Sequence, residues 1–274
     1  MQAERPLNEQ ATLIDEVVNS IQQISRGKEL FIAFDRDGTL VPYADRPEDA
    51  ILNPAVHESL RALAIAPRVI AGIVSARSIA LLRGEFDHHR LFLAGNYGLE
   101  TALPGGDPIV NDVALASRQS LKEARDKLAV LARPEINAIV EDHGYSLCVH
   151  WHTVAVEARA AVHQHVAAVA KQFPKLKLRA QPTSYEFLPD VSWDKGRALA
   201  TIDELVPQEG DRAYVFIGDS PPDEPAFAWV NARGGVSVRV GSAGGNTCSK
   251  FQLADTTEVA KLISLLIEAE SPKQ

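Results

Sequence analysis

The chain has 274 residues, 36 acidic against 28 basic for a formal net charge of −8, and 46% of it is apolar. That length holds one large or two modest domains around an ordinary core, and the acidic balance excludes a general nucleic-acid binder, whose partner demands a basic surface. No apolar run is long enough for a bilayer, and Met1-Gln2-Ala3-Glu4-Arg5-Pro6 lacks a basic segment leading into an apolar stretch, which excludes a membrane partner and points to the cytoplasm. Cys148 and Cys248 form neither a disulfide framework nor a zinc knuckle, and both are expected to be buried thiols. Nothing in the chain sets an oligomeric state.

In chain order, Leu13, Ile14, Val17, Val18, Ile21 and Ile24 recur at helical spacing, predicting a leading helix over 8–26 with Gly27 as its stop. Strand and helix patterns then alternate: Leu30 to Phe34, Pro54 to Ala64, Val69 to Val74, Leu81 to Phe86, Leu91 to Ala94. Alternation predicts a parallel sheet with helices on both faces. Pro104-Gly105-Gly106-Asp107-Pro108 breaks any element entering it and marks a domain crossing. Beyond it come a helix from about Asp112 to Leu131, strands near Ile136 to Glu141 and Tyr145 to Trp151, a helix from about Val154 to Phe173, and strands near Leu176 to Arg179 and Thr183 to Leu188. The expected class is α/β: a Rossmann-like doubly wound parallel core over 1–104 and 190–274, with an inserted α/β cap over 105–189 that could fold as a lid.

Four strand or helix ends carry chemistry. Asp35-Arg36-Asp37-Gly38-Thr39 follows the first apolar strand, and alternation would send Asp35 and Asp37 to one side and Arg36 away. Two like charges so close call for a hard cation, Mg2+ being the usual one because it takes carboxylate and phosphate oxygens together. Ser75-Ala76-Arg77-Ser78 follows the second strand and offers a hydroxyl and backbone N–H groups where a helix begins, an ordinary anion site. Asp194-Lys195-Gly196-Arg197 opens a helical stretch with a counter-charge for phosphate. Tyr214 to Ile217 discharges into Gly218-Asp219-Ser220-Pro221-Pro222-Asp223-Glu224, a second acidic strand end. Within the insert, Tyr145, Leu147, Val149 and Trp151 would share one face and Ser146, Cys148, His150 and His152 the other, the first packing and the second facing outward. His150-Trp151-His152 has no carboxylate or cysteine at a typical zinc spacing, so substrate-contacting or structural histidines are expected.

Taken in order, these four motifs resemble the haloacid dehalogenase superfamily. The resemblance implies Asp35 as nucleophile, Asp37 as acid and base, Ser75 and Lys195 as phosphate holders, and magnesium at Asp35, Asp37, Asp219 and Asp223. Further segments are similar to trehalose-6-phosphate phosphatases: Gly95-Asn96-Tyr97-Gly98-Leu99-Glu100, Glu141-Asp142-His143-Gly144, His150-Trp151-His152 and Glu186-Phe187-Leu188-Pro189. That likeness implies a small sugar phosphate as partner, contacted by Thr39, Arg77, Asn96, Tyr97, Glu100, Glu141, His143, His150, His152 and Glu186. Departures fall at His143 for the family's lysine, His152 for its arginine, Tyr97 for its histidine and Ser220 for an aspartate. They leave a second reading, another glycoside phosphate such as glucosylglycerol or glucosylglycerate phosphate.

Overall fold

A computed structural model describes residues 7–86, 90–242 and 246–270, with side chains described between 13 and 268. The elements run α1 (Leu7–Ser25), β1 (Glu29–Phe34), α2 (Pro54–Ile65), β2 (Val69–Val74), α3 (Ile79–Phe86), β3 (Phe92–Gly95), β4 (Glu100–Ala102), β5 (Ile109–Val110), α4 (Asp112–Leu128), β6 (Ile139–Asp142), β7 (Leu147–His150), α5 (Val156–Ala170), β8 (Leu176–Ala180), β9 (Ser184–Pro189), α6 (Lys195–Leu205), β10 (Arg212–Gly218), α7 (Glu224–Asn231), β11 (Val236–Val240), β12 (Phe251–Leu253) and α8 (Thr256–Glu270). They divide into two compact units, Met1–Pro108 with Trp193–Gln274, and Ile109–Ser192. No helix among the described residues is long and apolar enough to cross a membrane.

The larger sheet has the order β12-β11-β10-β1-β2-β3-β4-β5. All six residues of β1 are buried, as expected of a central parallel strand covered on both faces. Alternation sorts its side chains between two cores. Leu30, Ile32 and Phe34 join Val215 and Ile217 of β10 beneath α1, α2 and α8, whereas Phe31 and Ala33 join Phe216 and the helices α6 and α7 through Leu199, Ile202, Phe227 and Val230. Strands β12 through β3 pair in parallel, so their carboxyl ends lie along one edge, with Phe34 level with Ile217 on one side and Ile73 on the other. The chain passes from β1 to β2 on one side and reaches β10 on the other, and ligands bind at such a reversal of strand order.

The expected parallel core runs from β12 to β3, and β4, absent from the predicted elements, pairs antiparallel with β3 through Leu93 and Ala102. Asn96, Tyr97 and Gly98 take positive φ of 50°, 60° and 92°, and this left-handed run turns the chain straight back. In the second unit, β6-β7-β9-β8 form a wholly antiparallel sheet. Leu147, Val149 and Phe187 pack on Leu121 and Leu128 of α4 and on Val162 and Val166 of α5.

Candidate active site

Asp35 is the first residue beyond β1, and its N–H donates to the Ile217 carbonyl, which holds it beside the end of β10. On that neighbouring end Gly218 passes directly into Asp219, and a short turn over Pro221–Asp223 brings back Asp223. Asp223 is fully buried. One of its carboxylate oxygens accepts from the N–H of Asp219 (3.0 Å), the N–H of Ser220 (2.9 Å) and the Ser220 hydroxyl (3.0 Å). Ser220 thus anchors Asp223, a role its position next to Asp219 does not announce. A side chain on Gly218 would occupy the space of the Asp223 carboxylate.

Lys195 begins α6, whose cap Asp194 accepts from the Arg197 N–H. Only 1% of Lys195 is exposed, and its ammonium lies 2.8 Å from Asp35 Oδ2 and 2.6 Å from Asp223 Oδ1. Burial alone would lower the lysine's proton affinity, but the two carboxylates outweigh it and hold the ammonium above its ordinary value. Burial raises Asp35 well above the ordinary carboxylate range, Lys195 opposes this, and Asp223 and Asp219 push it further up. Burial and then the charge of Asp223 lift Asp219 to about 6.

Asp35, Asp219 and Asp223 each offer an oxygen within 4.8 Å of the others. Three carboxylates against one ammonium leave negative charge in excess, and Asp219 Oδ1 is buried with no hydrogen-bond partner. An all-oxygen set with an orphaned, inward oxygen fits a hard divalent cation such as Mg2+. Asp37, expected with this group, instead sits against two guanidinium groups. Arg36 Nη1 is 2.6 Å from Oδ1, and Arg77 donates to both oxygens at 2.8 and 2.9 Å.

Arg36 was expected to point away, and the structure corrects this. The strand ends at Phe34, so alternation no longer governs Asp35-Arg36-Asp37, and the buried Arg36 side chain folds back between Asp37 and Glu85. Its Nε and Nη2 hold the Glu85 carboxylate at 2.7 and 2.9 Å, and Nη2 also donates to the Ala50 carbonyl at 2.7 Å. Gly38 follows with φ of 82°, and a side chain there would meet Asp219 and Tyr43. The buried Thr39 hydroxyl lies in the same turn without a hydrogen-bond partner.

Ser75 lies one residue past β2, but α3 starts only at Ile79. Instead of capping that helix, the Ser75 hydroxyl accepts from the Arg77 N–H at 3.1 Å. The left-handed Asn96-Tyr97-Gly98 turn braces this loop: Asn96 N–H donates to the Arg77 carbonyl and Tyr97 N–H to that of Ser75, both at 2.8 Å. Glu100 Oε1 accepts from Asn96 Nδ2 (2.7 Å) and the Ile79 N–H (2.8 Å). Asn96, Tyr97 and Glu100, expected at the substrate, thus also build the support beneath Ser75 and Arg77.

Sequence reasoning missed Tyr43 and Glu85. The Tyr43 hydroxyl donates to Asp219 Oδ2 at 2.9 Å across 176 positions of chain, a proximity no local pattern records. Glu85 lies on α3, where its exposed-face spacing resembles any solvated carboxylate.

In the second unit, β6 and β7 place Glu141 opposite Cys148, and β9 places Glu186 opposite Cys148 on the other side. Glu141 Oε2 lies 2.6 Å from His150 Nε2, and Oε1 lies 3.6 Å from His143 Nε2. Burial raises the Glu141 carboxyl, but these two histidines outweigh it and hold it below the ordinary range. Glu186 pairs with Arg179 at 2.5 Å. His152 falls past the end of β7, its ring edge-on to His150 at 5.8 Å. The outward face is therefore less open than expected, with His143 and Cys148 both buried. Cys248, expected to be buried, is exposed; its N–H donates to Glu224 at 2.9 Å.

The trehalose-phosphatase family profile matches residues 33–257. The probable trehalose-phosphate phosphatase 4 of Oryza sativa subsp. japonica is 31% identical over 252 residues, covering 89% of this chain and 67% of that protein. An uncharacterized glycosyl hydrolase of Mycobacterium tuberculosis is 33% identical over 259 residues, and there the chain spans only 19% of the relative. Among solved structures, that of a trehalose-6-phosphate phosphatase related protein superposes with a TM-score of 0.77 at 18% identity, covering 89% of this chain and 100% of the other. At that identity the superposition speaks for the fold: an α/β core carrying an inserted cap.

Proposed function

Because the chain belongs to the trehalose-phosphatase family of phosphatases, we propose that it is a magnesium-dependent enzyme hydrolysing trehalose 6-phosphate to trehalose and phosphate through an aspartyl phosphate on Asp35. The observation that carries this reading is the buried group of Asp35, Asp219 and Asp223 around Lys195, set at the ends of β1 and β10 with one carboxylate oxygen left unpartnered.

Magnesium, held by Asp35, Asp219 and Asp223, supplies the positive charge that lets an anionic phosphoryl group approach these carboxylates. The Asp35 carboxylate attacks phosphorus, the bond to the sugar oxygen breaks, and Asp37, entering this step in its protonated form, passes its proton to that oxygen and is left as a carboxylate. Asp37 then takes a proton from the water that cleaves the acyl phosphate, and Arg36 and Arg77 keep its carboxylate aimed through both steps. Lys195 balances Asp35 before attack and the phosphoryl oxygens afterwards. The Thr39 hydroxyl, buried without a hydrogen-bond partner, would donate to those oxygens. Splitting the displacement in two makes each half easier than direct attack by water.

Inorganic phosphate release across a panel of mono- and disaccharide phosphates at fixed magnesium tests the assignment. Trehalose 6-phosphate is expected to have the highest kcat/KM, and Asp35→Asn to lower turnover roughly a thousandfold or more while sugar phosphate still binds. Unchanged turnover in that variant would overturn the mechanism. His143 and His152, which stand where the family carries lysine and arginine, favour a second reading in which another phosphorylated glycoside is preferred, and the same panel decides it.

A further inference from the structure

Asp37 stands beyond the end of β1, so strand alternation does not aim its side chain, yet a group that gives and takes protons has to be held to a fraction of an ångström. Two guanidinium groups hold it. Arg77 donates to both of its oxygens and is itself tied to the Pro47 carbonyl at 3.3 Å, while Arg36 Nη1 donates to Oδ1 at 2.6 Å. Arg36 also lies beyond the strand, and its side chain takes its backing from Ala50 and Glu85.

Glu85 belongs to the last turn of α3, whose Ile79, Leu82 and Phe86 are packed in the core under the large sheet, so its position is set by that packing. It accepts two of the four hydrogen bonds that the Arg36 side chain donates. These two run side by side, from Nε at 2.7 Å and Nη2 at 2.9 Å to separate carboxylate oxygens, a fork that fixes both the place and the plane of the guanidinium. With the plane fixed, Nη1 is left pointing at Asp37. Two positive and two negative side chains then balance, and only 4% of the Arg36 side chain and 18% of that of Glu85 are exposed. Without Glu85, Arg36 would keep Asp37 as its one carboxylate partner, and nothing on its far side would stop the pair from turning together. Asp37 is therefore gripped from both ends of α3, through Arg77 ahead of its first turn and through Glu85 in its last.

We infer that Glu85, acting through Arg36, is a positioning residue for the proton transfers of Asp37. The inference rests on the phosphatase reaction proposed above and extends it to a side chain on α3 that reaches Asp37 by way of the Arg36 fork.

The leaving group separates positioning from mere support. A sugar oxygen needs a proton as it departs, whereas p-nitrophenolate leaves without one, and kcat/KM reports the reaction only up to transfer of the phosphoryl group onto Asp35. In Glu85→Ala, kcat/KM for the best sugar phosphate of the panel is expected to fall roughly tenfold to a hundredfold, through kcat and with KM little changed, and that for p-nitrophenyl phosphate by about threefold at most. Arg36→Ala should give the same split, and the double variant no more than the larger single loss, because the two side chains act as one unit. Glu85→Gln, which keeps the length of the side chain and one acceptor, serves should Glu85→Ala fail to fold, and the same split is expected at smaller size. Equal losses on the two esters, or single losses that multiply in the double variant, overturn the inference and leave the phosphatase reaction standing. A wild-type protein that releases phosphate from neither ester overturns both.

Discussion

Lys195 shows how one buried charge organises a site. A lysine with 1% exposure is tolerable only because Asp35 and Asp223 stand within 2.8 Å of its ammonium, and those carboxylates are in turn buried at a cost the lysine offsets. Lys195→Met should therefore lower stability by about 3–5 kcal/mol, the usual effect of stranding a buried charge, and abolish phosphate release. Urea melts read the first, and part of that loss should return on adding magnesium. The same logic explains why Arg36, between two aspartates, turns inward: its planar guanidinium fork serves Asp37, Glu85 and the Ala50 carbonyl at once.

At the scale of elements, the site depends on where strands stop. β1 and β10 are buried throughout except for one half-buried residue of β10, and Phe34 at the end of β1 is level with Ile217, so Asp35 emerges beside Gly218 with Asp219 directly following. The turn after β1 then requires glycine. Gly38 has φ of 82° and lies against Asp219 and Tyr43, so an added methyl group is strained in backbone and in space together. Gly38→Ala is expected to lose at least 1 kcal/mol of stability and to raise the magnesium concentration for half-maximal activity several-fold. A metal titration of activity beside a thermal melt checks both. A variant with unchanged metal dependence would mean that the turn does not place Asp219.

At the scale of the molecule, the acidic site sets how stability responds to pH and metal. Asp219 is lifted to about 6 from an ordinary value near 3.8, mainly by burial and then by Asp223. A carboxyl raised on folding favours the folded state when protonated, so its contribution is full below about pH 4 and is lost as pH rises through about 6. Under the proposed magnesium dependence, the ion would replace the missing counter-charge above that range and bind only the ionised ligands. The Tm rise on adding magnesium should accordingly be several degrees at pH 8 and small at pH 5. An equal rise at both values would place the ion elsewhere.

The run Leu30 to Phe34 ahead of Asp35 was enough to identify a central strand ending in carboxylates, because a strand buried on both faces is a short-range pattern of apolar residues. The same holds for Val69 to Val74 before Ser75, and for Asp194-Lys195-Gly196-Arg197 as the opening of a helix. The sequence places the break after Pro104, and the compact units divide at Pro108. Three-dimensional folding decided the rest. The backward turn of β4 depends on left-handed backbone at Asn96 and Tyr97, which neither residue type requires. The Arg36–Glu85 pair, the Tyr43 contact to Asp219 and the grouping of Glu141 with Cys148 and His150 all join residues whose separation along the chain carries no signal. Local order is written in neighbouring residues, since backbone preference and alternation act over a few positions. Partners in space are chosen only when strands pair and the register brings distant side chains within a few ångströms.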